Sequence, residues 1–208
     1  MLFGACDGTS ADDREPFPGA WSAEGAPGER IVRLWYADGG APPATGPFCA
    51  GQRPPPYTCT FSSSRAGCQA AVQTYLDRWY RPFPVHFTVV DVPDSVPHDT
   101  ILISADGAWC GTVPAGLAPV TCEPLAAGTV WAFSCGDSAE LCAATIAQEQ
   151  GHLIGLEHTA SSRDVMANPL CDECVGFEDR ENPVVAGRCR RLQNSFELLQ
   201  AGLGRRVE

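Results

Sequence analysis

The sequence contains no lysine, and all fourteen of its basic residues are arginine. Asparagine is also rare, whereas proline and glycine are abundant. This bias is typical of a GC-rich coding sequence and indicates a bacterial source. Acidic residues outnumber basic ones and give a formal net charge of −11. Such a charge repels nucleic-acid phosphates and anionic lipid, so we expect no nucleic-acid partner.

Long apolar runs and internal repeats are missing as well. No stretch approaches the roughly 20 apolar residues that a transmembrane helix needs. The 208 residues fit one domain of moderate size, and a 44% share of hydrophobic residues is enough for a core. We therefore expect a monomeric globular protein without a transmembrane segment.

Cysteine, in contrast, is abundant. Eleven cysteines are too many for a reduced cytosolic enzyme of this size and indicate an oxidising compartment, outside the cell or at its surface. Ten of them can form five disulfides, for which Cys110 with Cys122 and Cys135 with Cys142 are local candidates. Cys6 is then the odd one. Spacing alone does not fix the connectivity.

Cys171 and Cys174 are separated by two residues and allow three interpretations. A structural disulfide is favoured, because the sequence has no second C-x-x-C. A zinc knuckle completed by Cys189 and one further ligand is an alternative, and a redox pair is another.

The first residues lack the basic region and full apolar core of a signal peptide. The segment Gly4-Ala5-Cys6 is nevertheless similar to a bacterial lipoprotein cleavage site, which would make Cys6 a lipid anchor. A start-site error or a shortened sequence is the alternative. Residues 1–29 have little periodicity and many Pro, Gly and acidic residues, which predicts an irregular N-terminal arm.

From residue 30 onward, the hydrophobic pattern predicts an α+β domain. Runs of β-forming residues predict strands at 31–36, 85–92, 100–104 and 128–133, and an irregular edge strand at 109–120. Helical spacing predicts helices from the Ser62–Ser64 cap to about Trp79, from Asp137 or Ser138 to about Gly155, and from Arg190 to Leu199.

The most informative segment runs from Gln148 to His158. Positions i and i+4 share a helix face, so Gln148 and His152 point the same way, with Glu149 beside them. Gly155 allows the backbone to leave the helix, and a sharp turn there brings His158 back toward the same point. Three side chains around an open fourth position are typical of catalytic zinc.

This segment resembles the metzincin signature, H-E-x-x-H-x-x-G-x-x-H, with Gln148 in the place of the first histidine. It matches the other four defining positions, at Glu149, His152, Gly155 and His158. Met166, in Asp-Val-Met-Ala-Asn-Pro, follows at the distance of a metzincin Met-turn. The Ala-Gln-Glu-x-x-His opening is also similar to that of some secreted metalloproteinases of myxobacteria.

The resemblance implies a metzincin-like catalytic domain over residues 30–208, a mixed twisted sheet with two main helices, a Met-turn and a C-terminal helix. Its upper half would extend to about residue 155, and its lower half would cover 156–208. The implied activity is that of a secreted zinc endopeptidase. The implied site consists of Gln148, His152 and His158 around Zn²⁺, Glu149 as general base, and Met166 beneath the metal. The edge segment 109–120 would pair with an extended protein or peptide substrate.

Gln148 leaves three outcomes open. Its neutral amide oxygen is a donor that zinc seldom uses, so metal affinity should be lower than with histidine. The amide oxygen ligates zinc in an active enzyme, or two histidines hold the metal loosely, or the site is empty in a pseudoprotease that binds peptides or proteins. A disulfide-stabilised surface protein with a purely structural motif is a further alternative. His86 and His98 have no partner at ligand spacing and are interpreted as ordinary residues.

Overall fold

The structure is a computed structural model that describes residues 28–40, 42, 48–49, 51–111, 114–171 and 174–206. Predictions for residues 1–27, including Cys6, lie outside the described residues. Within the described ranges, no helix has the length and apolar character needed to span a membrane.

The described chain is a mixed α+β domain. Its elements, in chain order, are β1 (Arg30–Tyr36), α1 (Arg65–Tyr80), β2 (Val85–Thr88), β3 (Asp99–Ile103), a short 3-10 helix (Ala108–Cys110), β4 (Gly116–Leu117), β5 (Thr129–Ala132), α2 (Ala139–Leu153), β6 (Asn182–Pro183), β7 (Leu192–Gln193) and α3 (Ser195–Leu203).

Five strands form one sheet in the order β2-β1-β3-β5-β4. The first four are parallel to one another, and β4 at the edge is antiparallel to β5. Every residue of β3 is buried, as expected for a central parallel strand that is covered on both faces. Ile101 and Ile103 belong to the main core with the helices, whereas Leu102 joins a smaller cluster with Trp131 and Phe133.

The two long helices begin at the predicted caps. The Ser64 hydroxyl accepts a hydrogen bond from the backbone N–H of Gly67, and the Ser138 hydroxyl accepts one from Leu141. Every residue of α2 from Cys142 to Leu153 is buried. This helix, which carries the motif, therefore lies inside the molecule rather than on its surface.

A buried polar cluster fixes α2 against the sheet. Gln150 of α2 donates from its side-chain amide to the carboxylate of Asp99 on β3, at 2.6 Å. The same carboxylate accepts from the Arg30 guanidinium and from the backbone N–H of Gly128. Because both oxygens of Asp99 are used, the cluster sets the height of α2 above the strands.

Two strand predictions were too long. Among the described residues of the segment 109–120, only Gly116–Leu117 forms a strand, because Pro114 and Pro119 flank it and lack the N–H groups that a ladder needs. The strand predicted at 85–92 ends at Thr88, where the hydroxyl accepts the backbone N–H of Val90 and the chain turns.

The last helix was predicted to start too early. It begins at Ser195 rather than Arg190, because Asn194 caps it by accepting from the N–H of Glu197. The residues just before the cap, Leu192–Gln193, pair with β6 instead. This two-stranded hairpin was not predicted, since its strands are too short to show alternation.

The ten described cysteines form five disulfides, which fits an extracellular protein. They are Cys49–Cys110, Cys59–Cys68, Cys122–Cys189, Cys135–Cys142 and Cys171–Cys174. The prediction for Cys135 and Cys142 is confirmed. The zinc knuckle is wrong, because all three cysteines that it would use are in disulfides.

The predicted pair of Cys110 with Cys122 is also wrong. Strand β4 runs between these two residues and carries the chain from one region to another. Cys110 lies beside the cluster of Leu102, Trp131 and Phe133, where it is bonded to Cys49. Cys122 lies beside the turn that follows α2, where it is bonded to Cys189.

Candidate active site

Helix α2 and the turn after it carry the motif. Gln148, Glu149 and His152 are almost completely buried, with exposed fractions of 4%, 4% and 2%. After the helix, Gly155 has a φ of +92°, a conformation that residues with side chains rarely adopt. The chain therefore turns where the sequence has its glycine, and it returns to the helix at His158.

The two histidines of the motif are in contact. Their ring centroids lie 4.6 Å apart, and the rings are nearly perpendicular at 85°. Two imidazoles on one tetrahedral zinc, at about 2.0–2.1 Å from each nitrogen, would have centroids about 5 Å apart. The spacing of His152 and His158 is therefore close to that of two ligands of one ion.

Hydrogen bonding orients the ring of His152. Its Nδ1 lies 2.8 Å from the carbonyl oxygen of Leu156, which can only accept, so Nδ1 carries the proton and Nε2 keeps its lone pair. Metal-binding histidines commonly have such an anchor on the nitrogen that faces away from the metal. His152 thus has the tautomer and the fixed orientation that a zinc ligand needs.

Burial keeps both imidazoles neutral. It lowers the pKa of His152 to about 4 and also lowers the pKa of His158. Neutral imidazole is the form that binds metal. A backbone hydrogen bond with Met166 opposes this lowering of the pKa at His158, so the Met-turn segment also contacts that ring.

Glu149 lies against the edge strand. A Cβ atom added to Gly116 of β4 would be only 2.4 Å from Oε1 of Glu149, so only glycine allows this close approach. Burial raises the pKa of Glu149 to about 8, which keeps the carboxyl protonated at neutral pH in the metal-free protein. A cation nearby would favour the carboxylate instead. Sequence reasoning missed Gly116, although a glycine within a predicted strand signals a close approach.

The side-chain amide of Gln148 forms hydrogen bonds with the Met-turn segment. Its amide nitrogen donates to the carbonyl oxygen of Ala167 at 2.8 Å and lies 3.4 Å from that of Val165. These carbonyls flank Met166 in the Met-turn segment. Gln148 therefore holds this segment to α2, and only its amide oxygen remains for a ligand.

Met166 is buried against the helix. A Cβ atom on Gly151, the residue before His152, would lie 2.6 Å from the Met166 sulfur. The Met166 carbonyl accepts from the N–H of Thr159, and its own N–H donates to Asp164. The Met-turn segment thus packs under the turn of α2 that carries His152.

A cleft of about 670 Å³ lies among the loops that follow the motif, and none of the candidate ligands or Glu149 lines it. Its lining residues follow His158 and Met166 in the chain: Ala160, Ser161, Ser162, Arg163, Ala167, Asn168, Pro169, Leu170, Cys171 and Val175. Every lining residue belongs to the predicted lower half, and sequence reasoning could not place a side-chain pocket there because it is built from loops. Its size is sufficient for a side chain of a bound peptide.

The structure brings His152 and His158 into contact, but it places the Gln148 amide on the Met-turn segment and the Glu149 carboxyl against β4, which leaves two ligand candidates rather than three. In the described ranges, no group of three or more His, Cys, Asp or Glu side chains is placed to hold a metal ion. A third donor must come from Gln148 or from water. His98 is bonded through Nδ1 to the carbonyl of Val96 and, like His86 on β2, takes no part in the site.

No protein-family profile matches the chain, and no curated protein sequence matches it. The α+β class and the parallel sheet are properties of the structure, whereas the metzincin fold remains an expectation from the motif. The function is therefore argued from the geometry of the site.

Proposed function

We propose that this protein is a secreted, metzincin-like zinc-dependent endopeptidase. The observation that carries the proposal is the contact of His152 with His158, 4.6 Å between ring centroids, on and just after the buried helix that also carries Glu149. Five disulfides support a working place outside the cell. Export as a free protein and anchoring through a lipid on Cys6 are the two forms of this proposal.

The residues present fit a zinc ion. The neutral rings of His152 and His158 would hold it, and the amide oxygen of Gln148 or a water would supply the next donor. When bound, zinc polarises the scissile carbonyl and lowers the pKa of a bound water toward neutrality. The hydrogen bond that orients the ring of His152 and the contact of this ring with His158 support this assignment.

We assign the role of general base to Glu149, whose carboxylate form a nearby cation would favour. Its carboxyl takes a proton from the attacking water and passes it to the leaving amine. The neighbouring strand β4 is the edge of the sheet, and its outer side pairs with no other strand among the described residues. An extended substrate can add there as a further strand and bring its peptide bond to Glu149.

A peptide-binding pseudoprotease is the second candidate. The observation that favours it is the hydrogen bonding of Gln148, whose amide nitrogen serves the Met-turn carbonyls rather than a metal. In this alternative the cleft after His158 still binds peptide, but no bond is cut. Activity and zinc content together separate the two candidates.

Cleavage of a quenched fluorescent peptide library tests the peptidase. We expect the zinc-loaded protein to cleave, a strong chelator to stop it, and added zinc to restore it. Glu149→Ala should lower the rate by about 10²- to 10⁴-fold and leave zinc bound, because the base is lost but the ligands remain.

Glu140→Gln is the matched control, since Glu140 lies on the same helix at its first turn. It should retain full activity. The peptidase proposal fails if the zinc-loaded wild type cleaves no peptide, and Glu149 leaves the mechanism if Glu149→Ala turns over at the wild-type rate.

A further inference from the structure

The turn from Gly155 to His158 is held from one side by the segment 121–125. The backbone N–H of Leu125 donates to the carbonyl of Leu153 at 2.8 Å, at the open end of α2. The Thr121 hydroxyl lies 3.5 Å from the carbonyl of His152. A Cβ atom on Gly155 would lie 3.2 Å from the carbonyl oxygen of Cys122, so this segment also lies against the turn.

The hairpin 182–193 holds the same turn from the other side. The N–H of Val185 donates to the carbonyl of His158 at 2.9 Å. The side chain of Gln193 makes two 2.8 Å bonds with the backbone of Glu157, accepting from its N–H and donating to its carbonyl. Both residues at the end of the turn are therefore tied to the hairpin.

Glu157 connects the turn to the hairpin loop through its side chain. Its carboxylate accepts from three consecutive backbone N–H groups, those of Arg188 at 2.7 Å, Cys189 at 3.0 Å and Arg190 at 3.1 Å. The residue is only 2% exposed. Bonds from backbone N–H to a buried carboxylate are stronger than neutral ones, so this contact fixes the loop and the turn relative to each other.

A disulfide joins the two sides. Cys122, in the first segment, is bonded to Cys189, whose N–H is one of the three that Glu157 accepts. The segment 121–125 and the hairpin 182–193 therefore hold the turn between them. The disulfide links these two segments covalently, and hydrogen bonds link the turn to each of them.

We infer that Glu157 is a positioning residue, which acts with the Cys122–Cys189 disulfide to hold His158 against His152. The carboxylate of Glu157 is hydrogen-bonded to the loop 188–190, so Glu157 acts on the site through the position of its neighbour His158. The consequence for zinc binding rests on the proposed function, whereas the consequence for the two rings does not.

Two readouts on the full chain test this role. In the metal-free protein, the nuclear Overhauser effect between the ring protons of His152 and His158 reports their contact. In parallel, competition with a chromogenic chelator gives the dissociation constant for zinc. Glu157→Ala and the double variant C122A/C189A should lose the ring contact and bind zinc about 10- to 100-fold more weakly. Glu157→Gln keeps one acceptor oxygen and should fall between them and the wild type.

The controls separate positioning from general stability. The double variant C59A/C68A removes a disulfide at the start of α1 and should lower the melting temperature without changing the ring contact or the zinc affinity. Glu178→Gln, which alters a carboxylate bonded to Ser161 and Asn182, should behave in the same way.

An unchanged ring contact and zinc affinity in folded Glu157→Ala would overturn the inference. Should that variant fail to fold, Glu157→Gln and C122A/C189A decide by the same two readouts. If the wild type binds no zinc, the peptidase proposal fails, and the ring contact alone still decides the role of Glu157.

Discussion

The side-chain amide of Gln148 has two possible tasks that compete. Its nitrogen satisfies the carbonyl oxygen of Ala167, which would otherwise lack a donor in a buried region. Its oxygen is the remaining donor for a metal, and a weak one. A histidine at this position would be a better ligand but would give up the bond that holds the Met-turn segment.

Gln148→His should therefore raise zinc affinity and lower the stability of the metal-free protein. We expect a loss of about 1–3 kcal/mol, because the Ala167 carbonyl is left unpaired. Chelator competition measures the first quantity and urea unfolding the second. Gln148→Leu is the matched control, with a similar loss of stability and no gain in affinity. Equal or weaker zinc binding in Gln148→His would mean that the amide oxygen is the ligand suited to this site.

The carboxyl of Glu149 makes metal-free stability depend on pH. Its pKa in the folded protein is about 8, well above the ordinary value of 4.5, and burial is the cause. Between these two values the unfolded chain has released the proton and the folded chain has not, so stability falls as pH rises and levels off above the folded pKa. The stabilisation that the protonated carboxyl of Glu149 provides is complete only below its ordinary pKa of 4.5.

Glu149→Gln removes this titration while keeping the shape of the protonated carboxyl. The variant should match the wild type near pH 4 and become progressively more stable than it, by up to roughly 1.4 kcal/mol per pH unit, until about pH 8. Urea unfolding with a chelator present, repeated across this range, measures the difference. A constant difference between the two proteins would show that the carboxyl of Glu149 titrates as an exposed group does.

At the scale of elements, the parts with a local signal were predictable. Helix α2 has its Ser138 cap, and a continuous apolar run predicts the central strand β3. The motif spacing predicted the shared helix face of Gln148 and His152, and Gly155 predicted the turn, because both depend on local backbone geometry alone.

Contacts between distant segments were not predictable. The approach of Gly116 to Glu149 depends on the antiparallel pairing of β4, which two residues and flanking prolines do not reveal. The partner of Glu157 is a row of backbone N–H groups, which leaves no trace in side-chain identity. The predicted pairing of Cys110 with Cys122 failed for the same reason, since long-range pairing follows from the path of the chain in space, whereas the short Cys135–Cys142 bridge was predictable.

At the scale of the whole molecule, two long-range disulfides restrain the loops around the sheet and the site. Cys49–Cys110 and Cys122–Cys189 join residues 61 and 67 positions apart. In the chain-entropy account, a disulfide that closes a loop of this length stabilises the folded state by about 4 kcal/mol, more than any one of the three short bridges does. Much of the stability of the protein therefore comes from outside the site.

Zinc content tests the central claim most directly. The purified, oxidised protein is dialysed against a weak chelator without added zinc and analysed by elemental mass spectrometry. We predict close to one zinc per chain in the wild type and in His98→Ala, and none in His158→Ala. Folded wild-type protein without metal would contradict the peptidase account and favour a peptide-binding pseudoprotease.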